Sequence, residues 1–324
     1  MYTHQQICEH IEQYIQDYKF ETISPELFEP IAYTIKQPGK RIRPTLAALS
    51  YNLFCDNLEK LWPVAVAIEM FHNFTLLHDD IMDNSMLRRN MPTVHAKWGA
   101  NSAILSGDAM LIESYKLLEN TPSEILPEVL AIFNATSRGV CEGQQMDMAF
   151  EDRDDVELSE YIVMIGLKTA ILLEGAMKIG ALMGGASLEQ ASTIAHYGYL
   201  IGLAFQIQDD ILDLYADSKN FGKPIGGDII EGKKCYLLLA ALEQASQSQK
   251  QDLQGIISSK NIDPQEKINN VRAIYDSLNI KEIATSAVEE GFAQADEILE
   301  NSGIESSKLE ELRSFVQNLK NRNK

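Results

Sequence analysis

The chain has 324 residues, of which 45% are hydrophobic and 23% charged, so it can bury a large core. Its formal net charge of −19 disfavours general nucleic-acid binding, which requires a basic surface. No segment offers the roughly 20 uninterrupted apolar residues of a membrane span, and the polar N-terminal segment is unlike a signal peptide. The four cysteines are scattered without a CxxC pair, which disfavours a disulfide framework or zinc site and favours the cytoplasm.

Apolar residues recur at helical spacing along most of the chain, whereas strand signals are almost absent. Turn-forming residues separate the segments, and Asp263-Pro264 has the composition of a helix start. The periodicity predicts helices over Leu61–Asp83, Ser102–Leu118, Ile125–Phe150, Ser159–Met183, Leu188–Leu214 and Ile229–Gln247. We therefore expect an all-α protein: a single large helical domain, residues 1–324, with long helices around a central apolar cavity.

The first chemically informative segment is Asp-Asp-Ile-Met-Asp at positions 79–83, at the end of an apolar helical stretch. On a helix, Asp79, Asp80 and Asp83 share an arc of about 100°. Their charges repel and no basic residue lies among them, so a purely structural role is hard to justify. Clustered carboxylates suit Mg²⁺, which proteins usually share with substrate phosphates. A single motif of this kind is weak evidence, because acidic segments on solvated helix faces are common.

The same pattern returns as Asp-Asp-Ile-Leu-Asp at positions 209–213, again at the end of an apolar helical stretch. Two such clusters are hard to explain as solvated helix faces. We expect Asp209, Asp210 and Asp213 to face the first cluster across a cavity. Together the two clusters would hold a diphosphate through metal ions.

Basic residues accompany the acidic clusters. Lys40, Arg41 and Arg43 precede a predicted helix, and Arg88-Arg89 follow the first cluster. An Arg side chain matches phosphate oxygens with two parallel hydrogen bonds, and Lys adds a point charge. Either group alone is typical of a solvated basic patch. Beside two acidic clusters in so acidic a chain, phosphate binding is the better interpretation.

With these motifs in place, the chain resembles the trans-isoprenyl diphosphate synthases, or polyprenyl synthetases, of the short-chain type that makes geranylgeranyl or farnesyl diphosphate. The resemblance covers nearly the whole chain. It rests on the ordered motifs GKRIRP, DDIMD followed by RR, GQxxD, KT, FQxxDDILD, GKPxGxD and GK. It implies the all-α isoprenoid-synthase fold and a Mg²⁺-dependent homodimeric prenyltransferase. Such an enzyme joins dimethylallyl, geranyl or farnesyl diphosphate to isopentenyl diphosphate by ionisation, alkene attack and proton loss.

The resemblance also implies a role for each matching residue. Metal ligands would be Asp79, Asp83 and Asp209. The metal ions would interact only indirectly, or through water, with Asp80, Asp210 and Asp213. The allylic diphosphate would contact Arg88, Lys168, Lys223 and Lys233. Isopentenyl diphosphate would contact Lys40, Arg43, His72 and Arg89. Catalysis would further involve Lys168, Lys223, Thr169 and Gln206, the last two offering oxygens to the developing carbocation.

Chain length depends on the residues just before the first acidic cluster. Phe74 lies five residues before Asp79, which is about 7 Å along a helix axis. A ring there would form a floor under the growing tail, although an ordinary core phenylalanine has the same sequence signature. In the family, a ring at this position is typical of short-chain enzymes. Because Thr75 is small, we favour a product of twenty carbons over one of fifteen.

Two alternatives remain at this point. A class I terpene cyclase shares the metal-assisted ionisation, but it needs no site for isopentenyl diphosphate, so His72, Arg89 and the GKRIRP motif argue against it. A non-catalytic subunit of a hetero-oligomeric prenyl synthase commonly lacks one acidic cluster, and this chain has both.

Overall fold

The computed structural model of the chain describes residues 2–216, 225–259 and 261–321. In this part the chain is helical almost throughout, and the only strands found there form one short antiparallel hairpin. The helices of the first half are α1 (His4–Asp17), α2 (Pro25–Ile35), α3 (Ile42–Asn52), α4 (Trp62–Met82), α5 (Val94–Trp98), α6 (Ala100–Leu118) and α7 (Leu126–Glu151). The hairpin, β1 (Leu87–Arg88) and β2 (Met91–Pro92), follows α4. The prediction of an all-α fold is confirmed.

The second half begins with α8 (Leu158–Ile165), which continues through a π-helical turn (Gly166–Ala170) into α9 (Ile171–Met183). The remaining helices are α10 (Leu188–Tyr215), α11 (Gly227–Glu231), α12 (Tyr236–Gln244), α13 (Gln247–Ser258), α14 (Pro264–Ser277), α15 (Ile280–Glu300) and α16 (Ser306–Lys320). No helix in the described ranges is long and apolar enough to cross a membrane.

Most predicted helices agree with the structure within a few residues at each end. The prediction of one helix over Ile229–Gln247 is wrong, because the chain leaves α11 at Gly232 and re-enters a helix only at Tyr236. Gly232 has φ +72°, the left-handed conformation that commonly ends a helix and that glycine adopts without strain. Pro264 begins α14 as expected, with the Asp263 carboxylate accepting from the backbone N–H groups of Gln265 and Glu266.

The chain divides into two compact units. Unit 1 comprises Met1–Asn134, Gly175–Ala195 and Ser302–Phe315, and unit 2 comprises Ala135–Glu174, His196–Asn301 and Val316–Lys324. That residues 1–324 act as a single domain stays a prediction.

In unit 1, α4 is the central helix and packs against α1, α2, α3 and α6. Its residues Val64–Phe71 are buried on every side, as expected of a helix inside a large core. In contrast, α1 buries only the single stripe Ile7, Ile11 and Ile15, which follows the helical period. Unit 1 therefore fixes α4, which carries the first acidic cluster at its C-terminal end.

In unit 2, α12 is buried along Tyr236–Ala241 and packs against α8, α14 and α15. Glycines allow close helix packing around the π-helical turn: a Cβ on Gly202 would lie 2.5 Å from the Cα of Ala170. A Cβ on Gly143 of α7 would collide with the backbone of Leu167 and Lys168. These contacts fix the π-helical turn, which carries Lys168 and Thr169.

Candidate active site

The first acidic cluster lies at the C-terminal end of α4. Asp79 and Asp80 are in its last turn, and Asp83 follows the last helical residue, its N–H donating to the Asp79 carbonyl at 2.9 Å. Arg88 of β1 bridges the first two carboxylates: Nη2 donates to Asp79 Oδ2 at 3.1 Å and Nε to Asp80 Oδ1 at 2.7 Å. Asp80 is buried, and burial raises the pKa of its carboxyl, an effect that Arg88 opposes. Arg88 supplies one positive charge to three carboxylates, so the cluster can accept a further cation.

The donor chemistry of this cluster fits a divalent metal. In the described ranges, no three His, Cys, Asp or Glu side chains converge as a complete metal site. Mg²⁺ is usually held by one or two carboxylates together with substrate phosphates and water. Asp79 and Asp83 supply hard oxygen donors of this kind, so they suit a metal ion that arrives with a diphosphate.

The hairpin after α4 directs two arginines. Arg89 and Asn90 form its turn with φ of +52° and +62°, the backbone geometry of a tight two-residue hairpin loop. Arg89 Nη1 donates to the Pro38 carbonyl at 3.1 Å, and its guanidinium lies so close to Gly39 that a Cβ there would be 2.7 Å from Nη1. The adjoining Lys40 is exposed. The structure therefore brings Arg89 against the loop that carries Lys40.

Arg43 and His72 form a second contact of the predicted isopentenyl diphosphate group. Arg43 Nη1 donates to His72 Nε2 at 3.0 Å. Burial, and then the positive charges of Arg43 and Arg89, hold the pKa of His72 well below 6.5. The imidazole is therefore neutral near pH 7, which is consistent with Nε2 accepting the hydrogen bond. Unit 1 thus gathers a cationic group beside a neutral histidine.

The second acidic cluster lies near the C-terminal end of α10, in unit 2. Asp210 is buried and accepts three hydrogen bonds: from the Tyr161 hydroxyl at 2.5 Å, the Tyr236 N–H at 2.8 Å and Gln206 Nε2 at 3.1 Å. Burial raises the pKa of Asp210 to about 6, although these donors oppose the shift. Both Asp210 oxygens accept hydrogen bonds from protein donors. This suits a residue that acts on a bound metal ion indirectly.

Asp213 is also tied to backbone. Its carboxylate accepts from the Asp228 N–H at 3.2 Å, and its carbonyl accepts from the Gly226 N–H at 2.8 Å. Burial, and then Asp213 and Asp210, raise the pKa of Asp228 well above its ordinary value. Asp228 was not among the predicted site residues, although it is the last residue of the GKPxGxD motif. The acidic group of unit 2 is therefore larger than DDILD alone.

Lys168 and Thr169 project from the π-helical turn. Lys168 Nζ donates to Asp147 Oδ2 at 2.5 Å, which identifies the partner that a lysine in an apolar helix requires. The Thr169 hydroxyl donates to Gln206 Oε1 at 3.0 Å, and Gln206 in turn donates to Asp210. A continuous hydrogen-bonded chain therefore links the π-helical turn to the second acidic cluster.

Two predicted diphosphate-binding lysines remain, Lys233 and Lys223. Lys233 is partly exposed, its Nζ lies 2.9 Å from Glu231 Oε2, and its N–H donates to the Asp228 carbonyl at 2.9 Å. Lys223 lies outside the described residues. Its predicted role is neither supported nor opposed by the structure.

Phe74, the predicted floor residue, is half-buried on α4. Its ring centroid lies 5.6 Å from that of Phe71 and 4.8 Å from that of His78. Phe71 in turn contacts Phe133, which contacts Tyr115. Thr75 is half-buried and donates its hydroxyl to the His72 carbonyl at 2.8 Å. A cluster of rings in tilted and edge-to-face contact thus packs against Phe74.

The predicted site residues are divided between the units. Unit 1 holds the first acidic cluster, Arg88, Phe74, Thr75 and the predicted isopentenyl diphosphate residues, and unit 2 holds the second cluster, Lys168, Thr169, Gln206 and Lys233. That the two clusters face each other across one cavity stays a prediction.

Comparison with known proteins gives a consistent result. The family model described as polyprenyl synthetase matches residues 24–277. The chain is 38% identical over 290 residues to the geranylgeranyl diphosphate synthase of Methanosarcina mazei, covering 89% of this chain and 88% of that protein. It is 44% identical over 239 residues to the short chain isoprenyl diphosphate synthase of Methanothermobacter thermautotrophicus, covering 73% of this chain and 74% of that protein. Proteins named geranylfarnesyl diphosphate synthase also match.

A solved structure gives the same result for the fold. A crystal structure of a geranylgeranyl pyrophosphate synthase is similar with a TM-score of 0.95 and 36% sequence identity, covering 99% of each chain.

Proposed function

This chain belongs to the polyprenyl synthetase family, and on that premise we propose that it makes a short-chain all-trans prenyl diphosphate. It is a prenyltransferase that condenses an allylic diphosphate (dimethylallyl, geranyl or farnesyl) with isopentenyl diphosphate. Its product has twenty carbons, as the names of similar proteins suggest.

One observation carries this function on geometric grounds. In unit 1, Arg88 bridges Asp79 and Asp80, while Arg43 donates to His72, whose pKa the charge of Arg89 also lowers. The first arrangement suits a diphosphate that arrives with its metal ion, since the Arg88 guanidinium can exchange its hydrogen bonds to carboxylates for hydrogen bonds to phosphate oxygens. The second suits a diphosphate that is bound by cations. Two anionic substrates with different binding modes are what a condensing enzyme requires and what a terpene cyclase does not.

The chemistry follows from the substrates. The allylic C–O bond breaks, its electron pair leaves with pyrophosphate, and the carbocation is stabilised by delocalisation. The terminal alkene carbon of isopentenyl diphosphate then forms the new C–C bond, and a proton leaves to a pyrophosphate oxygen. Each cycle adds five carbons. When bound, Mg²⁺ would neutralise the charge that develops on the leaving pyrophosphate; Asp79, Asp83 and Asp209 would hold it.

The protein's own groups serve the same ionisation. Lys168, charged beside Asp147, supplies a cation for the departing pyrophosphate. Because the Thr169 hydroxyl donates its proton to Gln206, its oxygen presents lone pairs to a developing cation. Asp210 fixes the carboxamide of Gln206 and thereby the direction in which Thr169 donates. Apolar walls must exclude water, which would otherwise capture the cation as an alcohol.

Product length is set below the first acidic cluster. Phe74 limits the tail because its ring packs against Phe71, which is fully buried and cannot move without disturbing the core. Thr75, beside it, leaves more room than a second ring would. This combination supports twenty carbons, with fifteen and twenty-five as the lengths to be distinguished by experiment.

We also propose a homodimer, in keeping with the family resemblance. Ile104, Leu105, Ile112 and Tyr115 of α6 lie on one face of the helix and are all exposed. An apolar face of this kind on a water-exposed helix is typical of an interface between copies. Light scattering of the purified protein measures the mass directly.

The scattered cysteines, without a CxxC pair, support a cytoplasmic location.

The proposed function is tested by incubating the purified protein with labelled isopentenyl diphosphate, each allylic primer and Mg²⁺, and then sizing the products. A C20 diphosphate is expected from every primer. Asp79→Ala should lower the rate by several orders of magnitude, whereas Asp252→Ala, at an exposed position on α13, should leave it unchanged. Absence of condensation with every primer would refute the function.

A further inference from the structure

Arg41 differs from its neighbours in the GKRIRP loop because it turns into the core. Its side chain is 1% exposed, whereas Lys40 is exposed and Arg43 is half-buried. Its backbone has φ +46° and ψ +38°, the left-handed region that a residue other than glycine rarely adopts. A buried charge and a strained backbone at one residue persist only where the surroundings hold them firmly.

The surroundings hold Arg41 through all parts of its guanidinium. Nε donates to Glu12 Oε1 at 2.7 Å, and Nη1 donates to Glu69 Oε1 at 2.9 Å. Nη2 donates to the carbonyls of Ile35 and Gln37, each at 2.8 Å. Ile35 is the last residue of α2 and Gln37 follows just beyond it, where a cation is favourable. Arg41 thus ties α1, α2 and α4 to the start of α3.

Glu69 connects this anchor to the site. It is almost fully buried on α4, the helix that carries His72 and the first acidic cluster, and Asn73 Nδ2 donates both to its carbonyl and to its Oε1. Burial opposes the charge of Arg41, but Glu12 and Glu69 outweigh it and raise the pKa of the guanidinium. The anchor therefore stays ionised and fixes the loop relative to α4.

We propose that Arg41, held by Glu12 and Glu69, is a positioning residue that sets the loop of Lys40 and Arg43 for binding the diphosphate of isopentenyl diphosphate. The inference rests on the proposed function, because it assigns that loop to the non-allylic substrate. Arg41 does not touch the substrate. It fixes where its two cationic neighbours lie, and its loss is expected to affect one substrate and not the other.

The deciding variant is Glu12→Gln. Glu12 is partly exposed and lies on α1, so removing its charge weakens the anchor without leaving a fully buried ion alone. Glu9→Gln is the matched control, since Glu9 lies one turn earlier on the same helix, is exposed, and accepts only from Gln5 among the hydrogen bonds found in the described ranges. Arg41→Gly relieves the left-handed backbone while removing the guanidinium.

Steady-state kinetics with each substrate varied in turn provide the measurement. For Glu12→Gln we expect a KM for isopentenyl diphosphate raised about five- to tenfold and an allylic KM within twofold of the parent, in a protein with a somewhat lower unfolding midpoint that is still folded at the assay temperature. Glu9→Gln should match the parent throughout. An unchanged isopentenyl KM, or an equal rise in both KM values, would overturn the proposal. So would an Arg41→Gly protein that binds isopentenyl diphosphate normally. If the parent protein itself makes no product, the proposed function fails instead, and that result is distinct.

Discussion

A methyl group added at Gly143 tests how finely the π-helical turn must be placed. A Cβ there would lie 2.8 Å from the carbonyl carbon of Leu167 and 2.8 Å from the Cα of Lys168, and closer still to the Lys168 nitrogen. Carbon atoms prefer separations of about 3.5–4.0 Å, so α7 and the π-helical turn must part by about 1 Å in Gly143→Ala. Backbone atoms cannot rotate away as a side-chain end can.

The expected effects on stability and rate differ in size. Overpacking costs about 1–3 kcal/mol, and replacing a helical glycine by alanine returns up to about 1 kcal/mol, so the net loss of stability is about 0–3 kcal/mol. A 1 Å displacement of catalytic groups costs about a hundredfold in rate. Since Lys168 and Thr169 move with the turn, we expect kcat to fall about a hundredfold in a protein that still folds.

Gly139→Ala is the matched control because Gly139 lies one turn earlier on α7. A Cβ there meets Ile171 Cδ1, the end of a flexible side chain, which can change rotamer. We expect kcat within about threefold of the parent. Urea unfolding measures the stability of both variants, and steady-state turnover measures the rates. Equal kcat values for the two variants would refute the proposed dependence on the placement of the π-helical turn.

Three further predictions concern individual side chains. The pKa of His72 in the folded protein lies below the 6.5 of the unfolded chain, so the free energy of unfolding falls as the pH drops below 6.5. In His72→Gln the urea midpoint should depend less on pH in this range. A pH dependence identical to that of the parent would contradict the assignment to His72. Tyr161→Phe removes a donor to the buried Asp210 and should lower the free energy of unfolding by about 1–3 kcal/mol in urea titrations, whereas no loss would mean that this bond contributes nothing. Phe74→Ala should give products longer than C20 in a sizing assay, and unchanged length would discard the floor.

The sequence predicted the features that depend on local pattern. Apolar periodicity was sufficient to locate α4 and α10 and to place an acidic cluster at the end of each, because side chains three and four residues apart share a helix face. The need of Lys168 for a partner also followed from its apolar neighbours. The identity of that partner, Asp147, did not, since it lies on another helix.

Contacts between side chains on different helices could not be predicted from the sequence pattern. Arg41 has the sequence signature of a third phosphate-binding cation, and its burial and its contacts with Glu12 and Glu69 distinguish it. A signal did exist, because Glu69 is a lone acid in an apolar stretch and requires a buried partner. The π-helical turn was missed for another reason: a five-residue widening leaves the apolar periodicity of a long helix almost unchanged.

Metal dependence tests the central claim most directly. Purified protein is stripped of divalent cations with a chelator, and the initial rate of C20 diphosphate formation is followed as Mg²⁺ is returned. No product is expected in the stripped sample, with full recovery on titration, and a much higher Mg²⁺ requirement for Asp79→Asn and for Asp209→Asn alike. Undiminished turnover without divalent cations, or a dependence on only one of the two aspartates, would contradict an enzyme that uses both acidic clusters to ionise an allylic diphosphate.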